Sequence, residues 1–259
     1  MMSLRFTQLA AATLALAAAT AGTPARAERV VVALSAHRVL INSSFTGAEP
    51  VLFGAVERDA VSVPRRSGYD AVVTVTGPRQ DVVTRQKERV VGIWVNARSR
   101  TFSDAPAYLA VLSNRSLAAI ARADTLQRLQ IGAARTPIAS DAADDPATDA
   151  FRTAFLRLNR EHGLYREEAN AITFLTPELF RAAIELPANA PIGNYEVDVK
   201  LFADGALLAR QTSAIEIVKV GFEQFVASAA REHGFIYGLA AATLALLTGW
   251  AGSIVFRRD

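Results

Sequence analysis

Asn194-Tyr-Glu-Val-Asp-Val-Lys-Leu201 alternates without a break. Tyr195, Val197, Val199 and Leu201 fall on one face, and Asn194, Glu196, Asp198 and Lys200 on the other. Period two of this kind marks a strand with one buried face and one wet face. Asp204-Gly205 follows, a dipeptide suited to a two-residue hairpin turn. Leu207–Ser213 is expected to return as the partner strand, and Ile215–Val220 to lead out of it. Pro187, Pro191 and Gly193 punctuate the approach.

Working upstream, shorter β-branched runs repeat the signal. Val30–Leu34, Val39–Ile41, Val51–Val56, Ala71–Thr76, Asp81–Arg85, Arg89–Asn96 and Tyr108–Leu112 read as short strands separated by turn residues. Such a series is expected of an immunoglobulin-like β-sandwich. Between the two β regions the pattern changes. Ser116 is placed to cap a helix through Gln130, with Gly132 just past its end. Pro137, Pro146 and four aspartates then mark an exposed loop. Asp145-Pro146 has the form of N-cap and N1 of a second helix, striped by Phe151, Phe155 and Leu158 and stopped at Gly163. The expected fold is mainly β. A β-sandwich lobe covers 28–115, a helical insertion and loop 116–165, and a second β-rich lobe 166–220. One larger sandwich interrupted by the helices is the alternative.

The two ends carry different signals. Residues 1–27 read as a signal peptide: Arg5, an apolar run from Phe6 to Ala21, and Ala25-Arg26-Ala27 as a small-x-small cleavage site. Residues 234–256 hold no charge. At about 1.5 Å per residue such a run is long enough to span a bilayer as a helix. Arg257 and Arg258 follow at once, and the positive-inside rule assigns the tail 257–259 to the cytoplasm. The expected topology is a body in the periplasm and a single transmembrane helix in the inner membrane. Gly238, Ala241, Ala242, Ala245, Gly249 and Ser253 recur along that helix at close-packing spacing. They are candidates for an interface with a membrane protein or with a second copy; an alanine-rich composition alone is the competing explanation. Just before it, residues 221–233 read as an amphipathic juxtamembrane helix, with Phe222, Phe225 and Val226 as a collar at the membrane surface.

The chain has 259 residues, 51% hydrophobic and 20% charged, enough apolar surface for a core. Cysteine is absent, which excludes disulfides, thiolate metal sites and thiol catalysis. The formal net charge of +3 comes from 28 basic against 25 acidic residues. Arg5 and Arg26 belong to the leader and Arg257, Arg258 and Asp259 to the tail, so the body between them is neutral. No concentrated basic face recommends a nucleic acid partner.

Chemistry is sparse. No nucleophile elbow, phosphate-binding loop or HExxH appears. Glu161-His162 with Glu167-Glu168 is the one cluster of acid–base groups, and a solvated helix end accounts for it. Asp141, Asp144, Asp145 and Asp149 lack the order of a calcium loop. His37 lies among strand residues with no ligand partners. Arg65, Arg66 and Trp94 remain as candidate ligand contacts for an anion or a sugar, although Trp94, inside Val90–Asn96, fits a core position better than a stacking platform. No catalytic residue, cofactor or metal is expected, and no enzymatic activity.

Further residues carry a likeness. They are Phe151-Arg-Thr-Ala-Phe155, Ile172-Thr-Phe-Leu175, Leu179-Phe-Arg181, and Leu186-Pro-Ala-Asn-Ala-Pro-Ile-Gly193 with Tyr195-Glu-Val197. They continue through Leu201-Phe202, Asp204-Gly205, Lys219-Val-Gly-Phe222, Tyr237-Gly-Leu239, Gly249-Trp250 and Phe256-Arg-Arg-Asp259, with the N-terminal segment Val30–Ile41. The mature chain resembles the alphaproteobacterial transmembrane family Alph_Pro_TM, which has no assigned activity. The resemblance implies a membrane protein and carries over no site residues. Family members' genes stand beside those of sulfite-exporter-like (TauE/SafE type) permeases, which implies a transporter as partner. The function expected is that of a non-enzymatic interaction or accessory module. The alternative is a periplasmic ligand-binding accessory or sensor domain.

Overall fold

A computed structural model of the chain describes residues 28–43, 45–58, 68–141, 147–221, 230–231 and 233–255. The leader 1–27, Arg65 and Arg66, the collar residues Phe222, Phe225 and Val226, and the tail 257–259 lie outside the described residues.

Fifteen strands and four helices are described. In chain order they are β1 (Arg29–Leu34), β2 (Arg38–Ile41), β3 (Gly47–Ala48), β4 (Val51–Glu57), β5 (Asp70–Thr76), β6 (Arg79–Val90), β7 (Ile93–Pro106) and β8 (Leu109–Ser113). After them come α1 (Leu117–Ile120), α2 (Ala123–Arg128), β9 (Ala139–Ser140) and α3 (Ala147–Glu161). The chain continues with β10 (Tyr165–Ala169), β11 (Ile172–Phe174), β12 (Leu179–Ala183), β13 (Leu186–Pro187), β14 (Gly193–Ala203) and β15 (Ala206–Lys219), and the last described element is α4 (Gly234–Val255).

The mainly β expectation holds, and the body is a sandwich. One sheet has the order β1-β4-β12-β11, the other β10-β8-β5-β14-β15-β2. The two stretches expected as separate lobes share both sheets: β12 pairs with β4, and β14 pairs with β5. Two lobes therefore give way to the single interrupted sandwich. The reason is that no one stretch has enough strands to cover its own apolar face, so each completes the other's sheet.

Tyr195, Val197, Val199 and Leu201 of β14 meet Leu52 of β4 and Phe180 and Ala182 of β12 in the core between the sheets. Gly54 faces Phe180 across the strand pair, and a Cβ there would run into the Phe180 ring. Both fill one space.

The other face of the six-stranded sheet is covered too. Val72, Leu109, Val111 and Phe202 form a second core with Ile120, Leu126, Phe151, Phe155 and the hairpin residues Phe102 and Ala105. The wet face expected on β14 holds at Asn194 and Glu196 and is corrected beyond them: Asp198 and Lys200 are 7% and 4% exposed. The single helix expected over 116–130 is two short helices, because Ala121 and Arg122 are extended. Ile120 and Leu126 both reach the second core. In one continuous helix residues six apart lie about 120° apart around the axis, so the extended step re-aims the second side chain. The strand expected over Arg89–Asn96 is crossed by a turn at Val91-Gly92, which joins β6 to β7. The hairpin expected at Asp204-Gly205 is present, both residues having positive φ.

Three tyrosines tie strands to loops. Tyr108 donates to the carbonyl of Glu185 at 2.7 Å, Tyr165 to that of Pro106 at 2.6 Å and Tyr195 to that of Pro191 at 2.7 Å. Burial pushes all three phenols well above their ordinary value.

Two outcomes are expected. Gly54→Ala costs about 1–3 kcal/mol of stability with Phe180 in place and close to nothing in a Phe180→Ala background, read by urea denaturation of both single variants and the double. A phenol raised in the folded state contributes stability that is intact below about pH 10 and is lost as pH rises through the folded value. In an alkaline titration, phenolate absorbance from Tyr108, Tyr165 and Tyr195 should therefore appear together with loss of the circular dichroism of the fold, and not before it.

Candidate functional site

Three features stand out from the sandwich. The first is α4, which carries no charged residue. Phe235, Leu244, Leu246 and Trp250 are 86%, 69%, 75% and 66% exposed. Gly238, Ala241, Ala242, Ala245, Gly249 and Ser253 are nearly all on one stripe of it and stand exposed. A Cβ added at Gly238 or Gly249 would meet nothing within 4 Å. Thr243 and Thr248 donate to the carbonyls of Leu239 and Leu244 at 2.8 Å, so their hydroxyls are satisfied within the helix. Side chains are described without a gap over 237–253 of this helix. Among the described residues, no helix is long and apolar enough to cross a membrane.

The second feature is the β6–β7 hairpin. Its base joins the second core, Arg85, Gln86 and Arg98 share a cleft with α3, and the tip beyond them is exposed. Trp94 is 69% exposed there, which overturns the expected core position. Gly92 alone marks a turn within Val90–Asn96, so the sequence pattern there reads as one strand with Trp94 in the core. Arg65 and Arg66 lie outside the described residues.

A charged cleft on the outer face of the six-stranded sheet is the third. It has a volume of about 430 Å³, with Thr74, Glu196, Asp198, Lys200, Arg210 and Arg128 among its walls. Asp198 accepts from Lys200 Nζ through Oδ2 and from Arg210 Nε through Oδ1, the latter at 2.8 Å. The hydrogen bond to Asp198 holds the Arg210 guanidinium above its usual value. An ammonium has three donors, and Asp198 takes one of those on Lys200. Thr74 Oγ1 is buried with no hydrogen-bond partner among the described residues. Two cations thus share one carboxylate beside free donors, an arrangement that can receive an oxyanion. Sequence reasoning placed Asp198 and Lys200 in water. The signal that would have found them is the continuous apolar run of β5 and β8, which marks strands covered on both faces.

The acid–base cluster does not assemble. Glu161 pairs with Arg157 at 3.0 Å, Glu168 pairs with Arg166 at 2.5 Å, and Glu167 accepts the Ala133 N–H. Among the described residues, no group of three metal-ligating side chains gathers. His37 is exposed, 3.3 Å from the Ala214 carbonyl.

The family model described as "Putative transmembrane protein (Alph_Pro_TM)" matches residues 29–258. The chain belongs to this family. The Alph_Pro_TM match covers the residues of the sandwich, the hairpin and α4 alike. No curated protein matches the chain. Among solved structures, AggA, the major subunit of aggregative adherence fimbriae type I from Escherichia coli, aligns over 74% of this chain and 93% of its own. The identity is 11% and the TM-score 0.24, a likeness too slight to carry an argument.

Asp198→Asn leaves Lys200 buried without a counter-charge and should cost about 3–5 kcal/mol. Glu196→Gln, on the same face but exposed, should stay within about 0.5 kcal/mol of the parent. Chemical denaturation of the two variants side by side checks this.

Proposed function

We propose that the chain is a single-pass inner-membrane protein whose immunoglobulin-like sandwich stands in the periplasm as a non-enzymatic interaction module. The observation that carries the reading is α4. No helix among the described residues is by itself long and apolar enough to cross a membrane, but α4 belongs to the charge-free run 234–256, which at about 1.5 Å per residue has the length of a bilayer core. Among the described residues, the large apolar side chains of α4 stand exposed. In water that surface is unfavourable, and in hydrocarbon it is not. Residues 1–27 act as the leader, Phe222, Phe225 and Val226 as the collar, and Arg257 and Arg258 hold the tail inside. The exposed stripe of Gly238, Ala241, Ala242, Ala245, Gly249 and Ser253 gives the helix a face that a membrane-protein partner or a second copy can approach closely. A sulfite-exporter-like permease is the partner this reading favours.

The chain has no cysteine, so single-cysteine variants report topology without background. Thr212→Cys should react with an impermeant maleimide in intact spheroplasts, and Asp259→Cys only after lysis. The reverse pattern, or release of the protein by alkaline carbonate, overturns the topology. In-cell crosslinking should then recover a polytopic partner that is lost when α4 is replaced by an unrelated anchor.

A second reading rests on the Lys200 cleft. The spare donors of Lys200 and Thr74 favour a small oxyanion there, which makes the body a ligand-binding accessory domain. A site occupied at a hundredfold over its Kd adds about 2.7 kcal/mol of stability. Inorganic phosphate or sulfate should accordingly raise the melting temperature of the parent protein and leave that of Lys200→Met unmoved. No shift with either anion overturns this reading.

A further inference from the structure

We propose that the outer half of the β6–β7 hairpin is a membrane-docking finger. It seats Val90, Val91, Ile93 and Trp94 in the interface of an anionic bilayer, and this rests on the reading of α4 as the anchor of the same chain.

Between Arg85 and Ser99 no residue is buried. The finger is a two-stranded ribbon held by its own pairs, from Arg85↔Ser99 through Arg89↔Trp94 to Val90↔Ile93 at the turn. A ribbon of two strands is marginal in water, and its tip contributes nothing to either core of the body. Yet the tip is the most apolar exposed surface of the sandwich: Val91 is 98% exposed, Trp94 69% and Ile93 67%.

The turn sharpens the point. Val91 has φ 49° and Gly92 φ 86°. A two-residue turn of this form takes asparagine or aspartate at its first position in water-facing hairpins. A β-branched side chain there is strained. Here that strained position holds an apolar side chain in full contact with solvent, a choice that neither folding nor solubility favours. Insertion of the tip into an apolar phase removes the second cost and gives the residue a use.

Charge selects the kind of surface. Arg85, Lys87, Arg89 and Arg98 stand behind the tip, against the single acid Glu88, which Arg98 bridges at 3.3 Å. An apolar prow with cations one or two residues behind it matches the layered order of an anionic bilayer, hydrocarbon below phosphate. Long basic side chains reach headgroups while their stems stay with apolar neighbours. Tryptophan favours that boundary.

Position agrees. Strands β5 and β15 both pair antiparallel with β14, so they run the same way and leave the sheet at the same end. From that end β5 passes into the hairpin and β15 toward α4. Gly193, paired with Ile217 at the exit of β15, lies against Pro78 at the root of β6, where an added Cβ would come within 3.1 Å of the proline ring.

The chain's two tryptophans fall one in each element, Trp94 in the finger and Trp250 in α4, so each can be read alone. The full-length protein is reconstituted as Trp250→Phe to report on Trp94, and as Trp94→Phe to report on Trp250. The vesicles are phosphatidylcholine with or without phosphatidylglycerol. In anionic vesicles Trp94 should shift to the blue, be quenched by lipid brominated near the headgroup, and lose accessibility to aqueous iodide several-fold. Pure phosphatidylcholine, or Lys87→Glu with Arg89→Glu, should reverse most of that change, with the circular dichroism of the fold unaltered. Bromolipid quenching of Trp250 with Trp94 still open to iodide overturns the finger and leaves the anchor standing. Quenching of Trp94 without Trp250 sustains the finger and overturns the anchor, and quenching of neither overturns both. Shielding of Trp94 in native membranes but not in anionic vesicles assigns the tip to a protein partner and overturns the proposal.

Discussion

Asp198 holds Lys200 and Arg210 on the outer face of β14, and this compensation lets a charged strand lie at the centre of the six-stranded sheet with cover on both sides. The apolar half of β14 meets β4 and β12 across the sandwich. Its other half ends in Phe202, which joins the helices and the hairpin base. Without that carboxylate, Lys200 under the roof would carry the cost of lost hydration, while Arg210 reaches it from the exposed side. The helices, the loop after α2 and the base of β6–β7 can close over the sheet because the charges beneath them are already paired. The cleft is what remains where the roof is incomplete.

Burial on both faces of one sheet also explains where the apolar surface of the chain is left over. Among the described residues, Leu40, Phe53, Leu175 and Ile192 are dispersed over the body, while every large apolar side chain more than 60% exposed lies at the hairpin tip or on α4. A soluble body of this size disperses such residues over its surface. Here they lie on two elements whose feeding strands leave the sheet at one end. Membership of the family Alph_Pro_TM and this segregation are the two grounds of the membrane role proposed above.

The β character of the body was legible because alternation is a local property. Tyr195 to Leu201 and the Asp204-Gly205 turn need nothing beyond their neighbours to be read. The stripe of α3, Phe151 and Phe155, was legible for the same reason, and both are buried in the second core. The candidate sites were less so. Trp94 was misplaced because Val-Gly is a poor turn signal, and an apolar run reads the same whether it is buried or exposed. The ion pair was missed because charge at period two implies water unless something else covers that face. The covering elements come from residues 102–155, far from β14 in sequence.

The sequence by itself determined the strands, the long helix α3, the charge-free segment at the C-terminus and the absence of familiar catalytic motifs. These rest on short-range periodicity and composition, which the order of residues contains in full. Tertiary structure alone decided that both β stretches build one sandwich, that Asp198 and Lys200 are buried, and that Trp94 is exposed. Each of those depends on pairing between segments far apart in the chain. Such pairing is chosen by which apolar faces can cover one another in space, a quantity that no local pattern encodes.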